Sequence, residues 1–149
     1  MTLQGLIQIC PKCNQKNRIQ PELLHALPSC GRCKAPLPPI TEPLALDDLT
    51  FEEVVGRARL PVLVDFWAPW CGPCRTFAPT FLDFARSHAG RVLACKVNVD
   101  EAERVAARMG IQSIPTLALF FGGRVVSREL GSVGKAALER MLDAVDASR

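Results

Sequence analysis

Between residues 50 and 145 the apolar positions change period several times, and each change marks a new element. Val62-Leu63-Val64 and Phe66-Trp67 form an apolar run broken by Asp65 alone, the pattern of a strand buried on both faces, read as Pro61–Trp67. A long helix follows from Cys71 to about His88, with Pro79 inside it. Val92–Val99 reads as the next strand and Glu101–Met109 as a short helix. Thr116–Phe121 and Arg124–Glu129, separated by Gly122-Gly123, read as a hairpin. Lys135–Val145 closes as an amphipathic helix, with Leu138, Met141, Leu142 and Val145 at helical spacing. Upstream, Thr50-Phe51-Glu52-Glu53 has the form of a capping box, Thr50 as N-cap and Glu53 reaching back, opening a short helix to about Ala58. An edge strand falls near Leu44–Leu46. The order predicts an α/β fold, a central mixed sheet covered by helices.

Composition adds a second unit to this picture. Four prolines between Pro36 and Pro43 favour an extended connector. The predicted division is a small module over 1–36, a Pro-rich linker over 37–43 and the α/β domain over 44–149. The module is too small to bury an adequate core, so something other than hydrophobic burial should hold it. No apolar run approaches the roughly 20 residues of a membrane span. Met1–Ile9 lacks a basic n-region, so the expectation is no secretory signal and a reducing cytoplasm.

Seven cysteines in a reducing compartment point to metal or redox chemistry rather than a disulfide framework. Six of them form three Cys-x-x-Cys pairs in two contexts. Cys10/Cys13 and Cys30/Cys33, with 16 residues between, match the spacing of a Cys₄ zinc site, each pair a knuckle supplying two thiolates. Gly31 and the Pro11-Lys12 turn suit tight knuckles. A [4Fe–4S] cluster, two disulfides, or ligation through His25 are the rival readings. Bound Zn²⁺ would also hold so small a module together.

The module carries Lys12, Lys16, Arg18, Arg32 and Lys34 against the single acid Glu22, a basic balance of the kind nucleic acid attracts. A four-thiolate zinc site would remove part of that charge, and the module has no Phe, Tyr or Trp to stack on bases. Both facts argue against nucleic acid.

Cys71 and Cys74 sit in Trp70-Cys71-Gly72-Pro73-Cys74, at the start of a helix that follows a buried strand. Free backbone N–H groups and the positive end of the helix dipole lower a thiol pKa there, as disulfide exchange requires, and the helix start should leave the Cys71 sulfur exposed. Two intervening residues bring the second thiol back within one turn. Cys95 reads as a buried, inert strand thiol, and His88 as a residue at the end of the active-site helix.

Val64-Asp65-Phe66-Trp67-Ala68-Pro69-Trp70-Cys71-Gly72-Pro73-Cys74-Arg75 resembles the active-site strand and helix start of the thioredoxins. The likeness continues through Ala78-Pro79, Lys96–Asp100, Ile111–Thr116, Gly122-Gly123 and Leu130-Gly131, covering roughly residues 44–147. With the N-terminal cysteines, the whole chain resembles the bacterial thioredoxin 2 type, a thioredoxin fold with a small zinc-ribbon-like module.

The resemblance implies a protein-disulfide reductase. Cys71 would attack, Cys74 would resolve, and Asp65 would assist proton transfer, its pKa raised by burial and partly offset by Lys96. Pro115 matches the family's cis-proline. Trp70, Gly72, Pro73, Ile114, Leu130 and Gly131 would grip an extended substrate. It further implies a cytoplasmic monomer that acts on disulfide-containing proteins, takes electrons from an NADPH-dependent thioredoxin reductase and needs no bound organic cofactor. A dinucleotide fingerprint is absent from this chain. The alternative is a zinc-ribbon partner-binding protein that uses the thioredoxin fold as a scaffold.

Overall fold

A computed structural model of the chain describes residues 6–148. Strands β1 (Ile7–Ile9) and β2 (Lys16–Arg18) pair antiparallel in a small two-stranded sheet, followed by a 3₁₀ turn at Pro21–Ala26. The larger unit follows as β3 (Leu44–Leu46), α1 (Phe51–Arg57), β4 (Val62–Trp67), α2 (Gly72–Ser87) and β5 (Leu93–Asn98). It ends with α3 (Glu103–Arg108), β6 (Thr116–Phe121), β7 (Arg124–Leu130) and α4 (Lys135–Ser148). Its sheet runs β3-β5-β4-β6-β7, with β3, β5 and β4 parallel and β6 and β7 antiparallel to their neighbours.

Side chains alternate across β4, so its apolar run divides between two cores. Leu63 joins Ala94, Leu117 and Leu119 on one face, covered by Phe77, Phe81 and Phe84 of α2 and Leu138, Met141 and Val145 of α4. Val62, Val64 and Phe66 join Cys95, Val97 and Phe120 on the other, with Phe51, Val54 and Val55 of α1. Helix α4 buries Leu138, Met141 and Val145 of its predicted stripe, and the two-sided burial of β4 is the one its apolar run predicts. At the hairpin, Gly122 and Gly123 both take positive φ, 63° and 78°, which a two-residue turn of this hand requires.

The predicted capping box is not formed. Thr50 has helical dihedrals and makes no side-chain cap. Asp47 serves instead, its carboxylate accepting from the Leu49 and Thr50 amides at 2.9 Å and from the Thr50 hydroxyl at 3.0 Å. The turn ahead of the helix is therefore held at Asp47, three residues before Thr50, and those donors hold the Asp47 carboxyl below its ordinary pKa, the Thr50 amide foremost. A neighbouring acid, Asp48, accepts from the Val105 amide at 2.9 Å and so closes the first turn of α3 from a distant part of the chain.

The cysteine-rich module does not stand apart. Leu6, Ile19, Leu24 and Leu37 are buried in the same core as α1 and the sheet, so hydrophobic burial against the larger unit helps to hold the module. Arg57 of α1 adds a polar clamp, donating to Gln20 Oε1 at 2.6 Å and to Glu22 Oε1 at 2.9 Å. Both partners of the ion pair are more than a third exposed, so the clamp sets orientation more than stability. The proline segment is extended but docked: Leu37 is 1% exposed and donates its amide to Pro28 O at 2.9 Å.

Truncating that anchor tests the shared core. Leu37→Ala should lower unfolding stability by about 2–4 kcal/mol in urea titrations and expose the module to trypsin before the sheet is cut. Equal protection of both regions in the variant would show that the module holds its place without this contact.

Candidate active site and metal centre

Strand β4, central in the sheet, ends at Trp67, and Ala68 to Trp70 then turn the chain into α2. Cys71 is the N-cap of that helix, with extended backbone angles, and its sulfur accepts from the Cys74 amide at 3.2 Å. Gly72 and Pro73 fill the first helical positions, where proline has no needed N–H to lose. Cys71 and Cys74 form a disulfide with a Cα–Cα distance of 5.3 Å. Contrary to the exposure expected at a helix start, Cys71 is only 5% exposed and Cys74 3%. Ala68 and the flanking Trp67, Val99 and Ile114 pack around them, which narrows access to the sulfurs.

Asp65 lies on β4, 1% exposed, paired in register with Lys96 of β5. Its Oδ1 has no hydrogen-bond partner. Burial pushes the carboxyl up from 3.8 to about 7, and the Lys96 charge opposes that rise. Lys96 places its ammonium over the Trp67 ring, 4.2 Å from the centroid, which keeps the cation beside the sheet.

The remaining predicted positions gather at the same end of the sheet. The Ile114-Pro115 peptide is cis, and the Ile114 carbonyl lies 3.8 Å from the Cys71 sulfur. Gly131, at φ 83°, donates its amide to Pro115 O at 2.8 Å and so ties the end of β7 to the proline loop. Trp70 and Leu130 are 68% and 67% exposed, large apolar side chains left open beside the disulfide.

Two further residues belong to this constellation. Asp100 accepts from Trp70 Nε1 at 2.8 Å, and Ser132 donates to Pro73 O at 3.0 Å. These partners lie 30 and 59 residues apart, and no spacing pattern announces such long-range bonds.

At the other cysteine cluster, the sulfurs of Cys10, Cys13, Cys30 and Cys33 all lie within 4.8 Å of one another. Cys10 and Cys33 are 3.7 Å apart, and Cys13 and Cys30 3.6 Å. Neither separation is a disulfide bond. A tetrahedral ion with bonds of about 2.3 Å sets its sulfurs about 3.8 Å apart, so the donor set fits one such ion. A cubane cluster would hold its ligands at separate corners, farther apart than these sulfurs lie. His25 is exposed and outside the group.

Both knuckles use one backbone design. Cys10 and Cys30 accept at their carbonyls from the amides of Asn14 and Lys34, at 2.8 and 3.0 Å, and those two residues take φ 63° and 66°. The strained position therefore follows the second cysteine of each pair. Gly31, which the sequence suggested for the tight turn, has no positive φ; its amide instead donates to Asn17 Oδ1 at 2.9 Å.

Amide donors favour the thiolate at the first cysteine of each knuckle. The Cys13 amide lowers the Cys10 pKa, and the Cys33 amide, with Arg32 and Asn17, brings Cys30 to about 6. Cys13, although lowered by the Gln15 amide, is raised to about 11 by burial and its sulfur neighbours. Four thiols this close need a cation before all can ionise.

A disulfide capping the helix that follows a doubly buried strand defines a dithiol–disulfide exchange protein. The comparisons agree. The thioredoxin family model matches residues 42–144, and the chain belongs to the thioredoxin family. It is similar to thioredoxin C-3 of Corynebacterium nephridii, 37% identical over 138 residues, covering 93% of this chain and 94% of that protein. That span reaches into the cysteine-rich segment. Thioredoxin 1 of a Nostoc species is 48% identical over 96 residues (64% of this chain, 90% of that protein), and thioredoxin of Haemophilus influenzae 41% over 104 (70% and 97%). The chain is thus a thiol–disulfide oxidoreductase with a four-cysteine cluster able to hold a metal ion. Among the described residues, no helix is long and apolar enough to cross a membrane.

Asp65 supplies a pH test. Its folded-state pKa lies above the unfolded value, so the stability it confers is complete below about pH 4 and is lost as pH rises through about 7. Asp65→Asn should therefore exceed the parent protein by about 2–4 kcal/mol at pH 8, a difference that shrinks as pH falls and approaches zero only below about pH 4. Urea titrations at several pH values read this directly; a gap independent of pH would contradict the buried-carboxyl account.

Proposed function

We propose that this chain reduces protein disulfides, with Cys71 as the attacking thiolate and Cys74 as the resolving thiol. The N-cap position of Cys71 carries the reading. Its sulfur takes the Cys74 amide at the positive end of α2, which favours the thiolate once the disulfide is reduced. That thiolate attacks one sulfur of a substrate disulfide; a Cys71–substrate bond forms as the substrate S–S bond breaks, and the released sulfur takes a proton from water. Cys74 then gives up its proton and attacks Cys71. The Cys71–Cys74 bond forms, and the second substrate sulfur leaves and is protonated. Two electrons and two protons pass to the substrate.

Asp65 is the group proposed to accept and return the Cys74 proton, since a carboxyl at about pKa 7 exchanges protons at neutral pH. Lys96 favours its charged form. Pro115 and Ile114 present backbone beside the sulfurs, and Trp70, Gly72, Pro73, Leu130 and Gly131 complete the surface for an extended substrate. Thioredoxins in general are reduced by thioredoxin reductase; for this chain the proposed donor is an NADPH-dependent reductase of that kind.

Residues 1–36 are proposed as the metal module, 37–43 as its connector and 44–149 as the exchange domain. Zn²⁺ is the proposed ion, supported by four thiol donors at tetrahedral separations. When bound it would cross-link the two knuckles. A reducing cytoplasm, where ligand thiols stay reduced, suits both sites, and a monomer suffices for the mechanism.

Two measurements test these assignments. Cys71→Ser should reduce insulin at less than about one-hundredth of the parent rate, and Cys74→Ser should accumulate a substrate adduct on non-reducing gels. Undiminished turnover by Cys71→Ser would remove the mechanism. The purified, reduced protein should carry one zinc per chain and show two rapidly reacting thiols, rising to all seven after denaturation with a chelator. Six or seven rapidly reacting thiols in the native state would dismiss the metal assignment.

A further inference from the structure

Three segments meet around the Cys71–Cys74 sulfurs: the turn 70–74, the proline loop 113–116 and the stretch 130–132. Backbone bonds join the second to the third, where Thr116 pairs with Leu130 and the Gly131 amide donates to Pro115 O at 2.8 Å. The first and second approach where the Cys71 sulfur lies 3.8 Å from Ile114 O. The first and third are linked by a side chain. Ser132 Oγ donates to Pro73 O at 3.0 Å, the one hydrogen bond between these two segments among the described residues. It closes a ring of contacts around the reactive sulfurs.

The chemistry of the two ends suits a fixed spacer. A carbonyl has two lone pairs, so Pro73 O can accept Ser132 as well as a bond within α2. The proline ring fixes φ at that anchor. On the other side, Gly131 takes φ 83° and has no side chain to limit its rotation. Leu130 is 67% exposed and so has little packing to hold it. Val133 packs on the core beneath α2 and α4, so the stretch is already folded on both sides of the serine. The hydroxyl therefore sets the distance between segments and is not needed to form them.

We propose that Ser132 is a positioning residue for polypeptide substrates, holding Leu130 and Gly131 at a set distance from the Cys71 sulfur. The inference rests on the reading of Leu130 and Gly131 as substrate surface. A polypeptide must meet both the 70–74 turn and the 130–131 backbone as its disulfide reaches Cys71. A small disulfide needs the sulfur alone. Loss of the hydroxyl should therefore weaken the first kind of substrate and spare the second.

Dithiothreitol-driven insulin reduction, followed over a range of insulin concentrations, gives KM and kcat without a reductase. Stopped-flow reduction of 5,5′-dithiobis(2-nitrobenzoate) gives the small-disulfide rate. For Ser132→Ala, KM for insulin should rise about three- to tenfold, the worth of one hydrogen bond, with kcat and the small-disulfide rate within about twofold. Ser132→Thr, which keeps the hydroxyl, should retain the parent KM. An unchanged insulin KM in Ser132→Ala, an equal loss with the small disulfide, or a Thr variant as impaired as Ala would each overturn the proposal. Cys71→Ser in the same assays separates the two levels: if it is inactive while Ser132→Ala keeps its KM, the exchange mechanism stands and only the role of Ser132 fails.

Discussion

Strand β4 must be dry on both faces, and most of the molecule exists to meet that requirement. Its residues alternate between two cores. One face is closed by the phenylalanines of α2 and by α4, which obliges α2 to lie across the sheet and start at the end of β4. That start is where Cys71 becomes an N-cap, so the reactive sulfur inherits its environment from the need to cover the strand. The other face is closed by α1 together with Leu6, Ile19, Leu24 and Leu37 of the cysteine-rich segment. Removing a fully buried aliphatic side chain from such a core typically costs 2–5 kcal/mol, so the segment's four apolar anchors matter to the whole sheet.

Asp65 is the exception within that dry strand. A lone carboxyl on this apolar strand opposes burial, and its raised pKa expresses the conflict. Lys96 relieves it only in part, being half-buried and occupied over the Trp67 ring. A stability-optimised strand would carry an apolar residue here. The conflict brings the carboxyl's pKa to about 7, the range in which a group can exchange protons at neutral pH.

What was legible in the sequence follows from the range of each interaction. The apolar run of β4 and the helical stripe of α4 are local patterns, and they place those elements to within a few residues. The four-cysteine grouping was also legible, because knuckle spacing is local. Thr50 and Glu53 have capping-box spacing, but Asp47, three residues before Thr50, takes the Thr50 amide that Glu53 would have accepted. Pro11-Lys12 and Gly31 do lie in the knuckle turns, but the positive φ, of which glycine is the usual sign, falls on Asn14 and Lys34, just past the second cysteine of each pair. The Ser132–Pro73 and Trp70–Asp100 bonds, and the docking of the module on α1, depend on tertiary placement that no local pattern encodes.

The two thiol sites use one physical device to different ends. In each, a backbone amide two or three residues along donates to a cysteine sulfur and favours its thiolate. At the knuckles four sulfurs converge within 4.8 Å, an arrangement able to hold one shared cation, which would relieve their mutual repulsion and occupy the lone pairs that would otherwise attack a disulfide. At α2 only two sulfurs meet, and each can neutralise the other by forming a bond. The number of converging thiols thus separates a ligand from a nucleophile. Cys95 shows the third case: wholly buried in β5, with no amide donor to its sulfur among the described residues, its thiol is pushed up by burial and stays protonated. Burial without a donor makes a cysteine inert, a donor with one partner suits it to exchange, and a donor with three partners suits it to a metal ion.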